Sequence, residues 1–306
     1  MRRRKLDGVL LLDKPVGPSS SAVLQAVKRL LEAEKAGHAG TLDPMASGLL
    51  LLLFGEATKF AQFGLDSVKE YQAQIRLGVL TDTGDAEGKV LERRPVGVDA
   101  AGVARALQRF RGVIEQVPPM YSALKHAGQP LYALARAGRT VERSARQITV
   151  HELELIELAG DLLRLRVKCS KGTYVRQLAV DLGAELGTVA HLEALRRTAV
   201  AGFRLDRAVT LDDLQAMGDA ARLAWLLPAD SLLADLPRLD LAAEPSERFL
   251  NGQAVALQTP AQTGISGPCR VYREAGVLLG VGEAGPGAEL HPVRLLAKVN
   301  RPVASG

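Results

Sequence analysis

Apolar residues recur at every second position in Tyr71–Leu77 (Tyr71, Ala73, Ile75, Leu77). They do so again in 163-LRLRVKC-169, where Leu163, Leu165, Val167 and Cys169 share one face and Arg164, Arg166 and Lys168 the other. That period predicts strands with one buried face. Val9–Leu12 and Leu49–Phe54 are unbroken apolar runs, which predict strands buried on both faces. Helical spacing appears over Ser20–Leu31 through Val23, Val27, Leu30 and Leu31, with serines available to cap its start. It recurs over Asp99–Phe110 and over Tyr174–Leu186, where Gly187 can end the helix. Thr210 with Asp213 predicts the capped start of one more.

Strands and helices are mixed without a regular βαβ repeat. This predicts an α+β domain, residues 1–235, around a mixed, mostly antiparallel sheet. The texture changes after Pro228 and Pro237. One short helix, Ser246–Leu250, precedes short strands punctuated by Gly and Pro: Val255–Leu257, Cys269–Tyr272, Val277–Val281 and Val293–Val299. They predict a small β-barrel-like domain over 241–303. Within the larger domain, segment 118–147 fits no packed element. It carries Lys125, Arg136, Arg139, Arg143 and Arg146 against a single Glu142. An insert so long and so basic is either a solvated helix face or an arm that closes over nucleic acid, and the second reading is the better one.

Composition narrows the classes. The 306 residues are 47% hydrophobic and 24% charged, ordinary for a folded protein and unlike a disordered one. Lys+Arg total 39 against 34 Asp+Glu, and the pI is near 9.3, which suits a polyanionic partner without requiring one. From Asp240 onward six basic residues balance six acidic ones, so the surplus lies in the first 239 residues. The two cysteines, Cys169 and Cys269, form no CxxC pair. They suggest neither zinc site nor disulfide framework, and a reducing cytoplasm is the simple expectation. The basic start 1-MRRRKLDGVLLLDKP resembles a signal peptide only briefly, because Asp13 and Lys14 end a very short apolar run. Leu49–Phe54 is too short to span a bilayer.

The candidate chemistry centres on 37-GHAGTLDPMASGLLLLLFGEATKF-60. Asp43 precedes Pro44, which pushes its backbone into an extended conformation. Such an aspartate can cap a turn, bind a metal or react. Only His38 stands near as a second ligand. The loop 81-TDTGDAEG-88 offers Asp82, Asp85 and Glu87, but it lacks EF-hand spacing and is also plain turn chemistry. No GxxxxGK[ST] loop occurs. A nucleophilic carboxylate would need a positive partner, a dry site and a flat substrate held against it.

Several segments in register then become recognisable. They are 12-LDKPVGPSS-20, GHAGTLDPMASGLL, KEYQAQIRLG at Lys69–Gly78, TDTGDAEG, PPMYSALKHAGQPLYALARAGR, 169-CSKGTYVRQLAVDLG-183 and 191-HLEALRRTAVAGF-203. Together they resemble the TruB family of tRNA pseudouridine-55 synthases over nearly the whole chain, in the same order. The resemblance implies a pseudouridine synthase fold followed by a PUA-like RNA-binding domain, to which 249-FLNGQAV and 280-GVGEAGPGAELHPVRLL are similar. It implies a monomeric isomerase that acts on the tRNA T-arm stem-loop, without cofactor, metal, membrane or protein partner.

The resemblance also implies roles. Asp43 matches the catalytic aspartate, and Arg176 the arginine that pairs with it; a guanidinium keeps its charge where water is excluded. The bland reading of Arg176 is a surface helix charge. Tyr71 matches the aromatic that stacks on the extruded uracil and assists proton removal from C5; otherwise it is a sheet-face tyrosine. Tyr174 and Leu195 match further pocket residues, or else helix-core packing. His38 matches a histidine that contacts the RNA where the flipped nucleotide left its stack. Lys14 matches a lysine of conformational importance, with a strand-end salt bridge as the alternative. Lys125, Arg136, Arg139 and Arg143 are the expected RNA contacts of the insert, and Arg164, Arg166, Lys168 and Lys171 a basic strip leading to Arg176.

Overall fold

Leu49–Phe54 lies inside the larger sheet, buried on both faces as its unbroken apolar run requires. In the computed structural model, which describes residues 3–122, 124–273 and 276–296, this strand extends over Ala46–Phe54. Leu49, Leu51 and Leu53 enter one core with Val9, Leu11 and Phe60. Leu50, Leu52 and Phe54 enter another with Leu10, Leu12 and the helix residues Val23 and Val27. Each such side chain contributes about 1.5–3 kcal/mol relative to exposure, so the strand is pinned from both sides. The helix over it, Ser20–Leu30, starts as expected, with Ser19 Oγ accepting from the Ala22 N–H.

Along the sheet the strands run Val209–Thr210, Gly8–Lys14, Ala46–Phe54, Ala190–Val200, Lys69–Leu77, Leu162–Cys169, Arg146–Ala159 and Gly112–Gln116. Gly8–Lys14 with Val209–Thr210 and Ala46–Phe54 with Ala190–Val200 are parallel. Every other neighbour in that order is antiparallel. The sheet is therefore mixed and mostly antiparallel. Tyr71, Ala73, Ile75 and Leu77 face Leu163, Leu165 and Val167 in a further core, capped by Leu178 and Leu182 of helix Val175–Glu185.

Arg146–Ala159 and Ala190–Val200 are strands that the apolar pattern does not announce. Each carries two register shifts against a neighbour, after Val150 and Leu155 in the first and after Leu192 and Arg197 in the second. A bulge adds one residue and reverses the phase of alternation beyond it, so no clean period of two survives. The expected insert accordingly ends early: Arg146 and Gln147 are already paired with Gln116 and Glu115.

The hidden strand also corrects the expected basic strip. Arg164 pairs with Glu157 at 2.7 Å, Arg166 with Glu154 at 2.6 Å and Lys168 with Glu152 at 3.0 Å, all across the strand pair. Lys171 pairs with Asp66 at 2.8 Å. Exposed pairs of this kind add little stability, but they neutralise the strip.

A second sheet runs Arg238–Leu241, Gly267–Arg273, Val277–Ala284, Glu289–Leu295 and Val255–Ala256. Curled into a half-barrel, it encloses Phe249 of helix Ala243–Leu250. Its first strand begins ahead of the expected start at 241. Of the expected strand Val293–Val299, positions 297–299 lie outside the described residues, as does the end of the expected domain at 303. Val281 enters the core of the large sheet. The Tyr272 hydroxyl hydrogen-bonds Asp230, and Lys59 Nζ donates to the Leu295 carbonyl at 2.9 Å. Among the described residues no helix is long and apolar enough to cross a membrane.

Candidate active site

The loop 40-GTLDPM-45 joins strand Ala36–Ala39 to Ala46–Phe54 and is braced by buried polar side chains. Arg197 Nη2 donates to the Gly40 carbonyl at 3.0 Å, and Gly40 turns there with a φ of 89°. The Leu42 N–H donates to Ser20 Oγ at 2.8 Å, while the Ser20 hydroxyl donates to the Leu42 carbonyl at 2.9 Å. Below the loop, Lys14 Nζ donates to the carbonyls of Pro15 at 2.7 Å and Ala46 at 2.8 Å. Lys14 has no solvent exposure and no carboxylate within ion-pair distance among the described residues, so the salt-bridge alternative does not describe it. Burial pulls its ammonium below the ordinary lysine range, with Asp43 and Glu87 opposing. Asp43 thus stands on a fixed crest, its side chain 41% exposed.

Arg176 approaches from the first turn of helix Val175–Glu185 and is no surface charge, since its side chain is only 8% exposed. Its Nη2 lies 2.9 Å from Asp43 Oδ2 and also donates to the Tyr121 carbonyl at 2.8 Å. Its Nε lies 3.6 Å from Oδ2 of buried Asp85. Asp85 is itself held, its Oδ1 accepting from the Thr83 hydroxyl at 2.6 Å and the Glu87 N–H at 3.1 Å. A buried guanidinium costs several kcal/mol unless its donors are matched. Here Asp85 behind and Asp43 in front flank it, which fixes the direction in which Asp43 presents its free oxygen.

These groups open into a cleft of about 620 Å³ that Asp43, Tyr71, Tyr174, Arg176 and Leu195 all line. Tyr71 projects from the Lys69–Leu77 strand, opposite Val167 on one neighbour and Arg197 on the other. Burial pushes its hydroxyl above the ordinary phenol range, with Arg197 opposing. Tyr174 is clamped by Gln116, whose Oε1 accepts from its N–H at 2.8 Å and whose Nε2 donates to its carbonyl at 3.1 Å. Burial raises the Tyr174 hydroxyl too, with the charge of Arg176 opposing. Leu195 lies half-buried between Ala46 and Ala73. Aromatic and leucine walls around one carboxylate suit a planar, polar-edged substrate.

The other expected residues are more scattered. His38 faces Leu52, outside the cleft lining, with Nδ1 buried and without a hydrogen-bond partner. Burial and Arg197 push its imidazole below the ordinary range, so it is neutral at pH 7. The insert forms a short hairpin, Lys125–His126 with Gln129–Pro130, and a helix, Leu131–Arg136, that buries Leu131 and Leu134. Arg136 lines the cleft and stacks on Tyr132 at 5.7 Å. Lys125 and Arg139 are exposed. Arg143 turns back on the insert, its Nη1 donating to the Pro118 carbonyl at 3.0 Å.

Asp85, Ser20 and Arg197 are site residues that the sequence reading did not single out. Asp85 stood among turn or metal candidates, yet it is engaged by Arg176, and Asp82 accepts from the Lys89 N–H at 2.8 Å as a turn residue does. Among the described residues no cluster of His, Cys, Asp and Glu could hold a metal ion. Ser20 looked like one of several capping serines, but Ser19 makes the cap and frees Ser20 to brace the loop.

The chain matches family profiles over most of its length. Residues 28–175 match the N-terminal domain of the TruB family pseudouridylate synthases. Residues 176–234 match the tRNA pseudouridylate synthase B C-terminal domain, and 237–296 the C-terminal domain of pseudouridine synthase II TruB. It is 53% identical over 298 residues to the tRNA pseudouridine synthase B of Aromatoleum aromaticum, covering 97% of this chain and 95% of that one. With the enzyme of the same name from Cupriavidus pinatubonensis it shares 54% over 303 residues, covering 96% and 95%. Among solved structures, a chain of a Cbf5-Nop10-Gar1 complex superposes with a TM-score of 0.71 at 27% identity, over 95% of this chain and 84% of that one. A chain of the archaeal box H/ACA sRNP Nop10-Cbf5 complex gives 0.70 at 25%, over 95% and 86%. The braced aspartate, its arginine and the aromatic cleft therefore belong to a pseudouridine synthase, and the chain is a member of the TruB family.

Proposed function

We propose that this chain isomerises uridine 55 in the T-arm of tRNA to pseudouridine, with Asp43 as the nucleophile. The observation that carries this reading is Asp43 itself: half-exposed at the lip of an aromatic cleft, on a braced loop, and 2.9 Å from a nearly buried arginine. The Asp43 carboxylate adds to the extruded nucleoside and the bond between N1 and C1′ breaks. The uracil turns while held between Tyr71 and Leu195, C5 bonds to C1′, and the bond to Asp43 breaks to free its carboxylate. The proton lost from C5 is balanced by one gained at N1, so substrate and product are isomers and no redox or energy carrier is consumed. Extruding the base costs a few kcal/mol, offset by stacking on the aromatic wall and by phosphate contacts.

The T-arm assignment rests on the relatives named tRNA pseudouridine synthase B. In this reading residues 1–235 carry the chemistry, and the curled sheet after them is a PUA-like module that adds RNA contacts. Lys125, Arg136 and Arg139 meet phosphates, while His38 meets the RNA at the gap left by the flipped nucleotide.

Single-turnover pseudouridine formation with excess enzyme, in EDTA, tests the reading. Parent protein should convert only the T-arm uridine. Asp43→Asn, which keeps side-chain shape but removes charge and nucleophile, should form no product while still binding tRNA, because affinity comes largely from backbone contacts. Substantial product from Asp43→Asn would remove Asp43 from the mechanism. Binding without product by the parent would instead leave a silent RNA-binding protein.

A further inference from the structure

Arg197 is fully buried, with 1% of its surface exposed, yet among the described residues no carboxylate lies within ion-pair distance of it. Its Nε donates to the Leu49 carbonyl at 2.6 Å and its Nη2 to the Gly40 carbonyl at 3.0 Å. Arg197 stands directly opposite Tyr71 on the neighbouring strand, and two residues from Leu195 on the same strand. Directly opposed residues share a sheet face, as do alternate residues along a strand. Arg197 therefore shares a sheet face with Tyr71 and Leu195, although unlike them it does not line the cleft.

We propose, taking Tyr71 to act in the proposed isomerisation, that Arg197 is a positioning residue. Held opposite Tyr71 by the strand register, its guanidinium carries the charge against which Tyr71 takes up the C5 proton. In that step the phenolate oxygen of Tyr71 binds the proton, the electron pair of the C–H bond returns to the ring, and the neutral phenol later returns a proton to water. The groups that face the phenol oxygen divide clearly. Burial and Asp43 on its loop oppose its ionisation, whereas the charge of Arg197 favours it. Cys169, itself pushed up by burial to about 11, stays a neutral thiol. Arg197 is thus the group on which an ionised Tyr71 depends.

The test is a double-mutant cycle of Tyr71→Phe and Arg197→Met, read as single-turnover isomerisation of a T-arm stem-loop RNA from pH 6 to pH 9, beside RNA binding and melting temperature. Arg197→Met should slow the reaction on the order of tenfold or more, with RNA Kd little changed. Its rate should rise with pH as the parent's does, but on a line displaced to higher pH. In the double variant the Arg197 substitution should cost much less than it does in the parent, leaving only its effect on the Asp43 loop. Arg197→Lys, which keeps the charge, should recover part of the rate, and it carries the cycle if Arg197→Met does not fold. A slow Tyr71→Phe whose defect simply multiplies with that of Arg197 overturns the positioning role and leaves Arg197 as a carbonyl anchor. An unimpaired Tyr71→Phe removes Tyr71 from proton transfer, and the role of Arg197 falls with it.

Discussion

Lys69, like Lys14 and Arg197, is a cation kept out of water without a carboxylate in ion-pair range among the described residues. It is 7% exposed, and its Nζ donates to the Leu65 and Ser67 carbonyls, each at 2.6 Å. Burial first, and the nearby Arg197 second, bring its ammonium down from 10.5 to about 8. Between pH 8 and 10.5 the unfolded chain holds a proton here that the folded chain has lost, so this residue makes stability rise with pH across that window. Chemical unfolding of the parent and of Lys69→Met should show their difference shifting toward the parent over the same window, by up to on the order of 3 kcal/mol. A difference independent of pH would mean that Lys69 is solvated in the folded state. Such residues bound what was legible at this scale. Asp43, Tyr71, Tyr174, Arg176 and Leu195 could be found because each sits in a recognisable segment and meets the others in the cleft. Asp85 and Ser20 could not, because an acid in a Gly/Thr loop and a serine before a helix have commoner uses, and only their distant partners Arg176 and Leu42 distinguish them.

At the level of elements, regular alternation and long apolar runs identified the strands around Leu49, Tyr71 and Leu165, and capping residues identified the helix starts. The bulged strands Arg146–Ala159 and Ala190–Val200 escaped for the same physical reason in both cases: each extra residue reverses which face the next apolar side chain takes. Missing the first of them made Arg164, Arg166 and Lys168 look unopposed, although glutamates face them across the ladder. Among the described residues, the insert carries unpaired positive charge on Lys125, Arg136 and Arg139, of which Arg136 lines the cleft. Replacing these three with glutamine should flatten the salt dependence of tRNA binding by roughly 0.7–0.9 in log–log slope for each phosphate no longer neutralised. Fluorescence titrations between 50 and about 200 mM salt measure this, and an unchanged slope would leave the insert as ordinary solvated surface. Arg143 is left out of that set because its bond to Pro118 makes it part of the insert's own structure.

For the whole molecule, the change of texture near Pro237 marked a real second sheet but not how firmly it is seated. Val281 shares a core with Leu51 and Leu53, and Tyr272 reaches Asp230. Sequence patterns read faces of elements and cannot read which two sheets a valine joins. A chain ending at Leu236 should accordingly fold, because its sheet and helix cores are otherwise complete, but with a lower melting temperature and weaker tRNA binding. Its single-turnover rate at saturating RNA should stay near the parent value, since no cleft-lining residue lies beyond Leu195. Loss of that rate in a folded truncation would make the second sheet part of the reacting site.

The parallel seam between Ala46–Phe54 and Ala190–Val200 has a consequence in time. Ser47 and Arg196, paired across it, are 149 positions apart in the chain. The seam is also tight, for a Cβ on Gly48 would lie 2.3 Å from the Arg197 carbonyl oxygen. Closing a loop of that length costs entropy before its contacts offset it, so pairings of this kind form late. The antiparallel pair of Gly8–Lys14 with Ala46–Phe54 can form early in synthesis, but the Asp43 loop acquires its Arg197 brace and its leucine wall only after the chain has emerged past residue 197. A nascent chain on the ribosome, surrounded by RNA, is thereby inert until it is nearly two-thirds made.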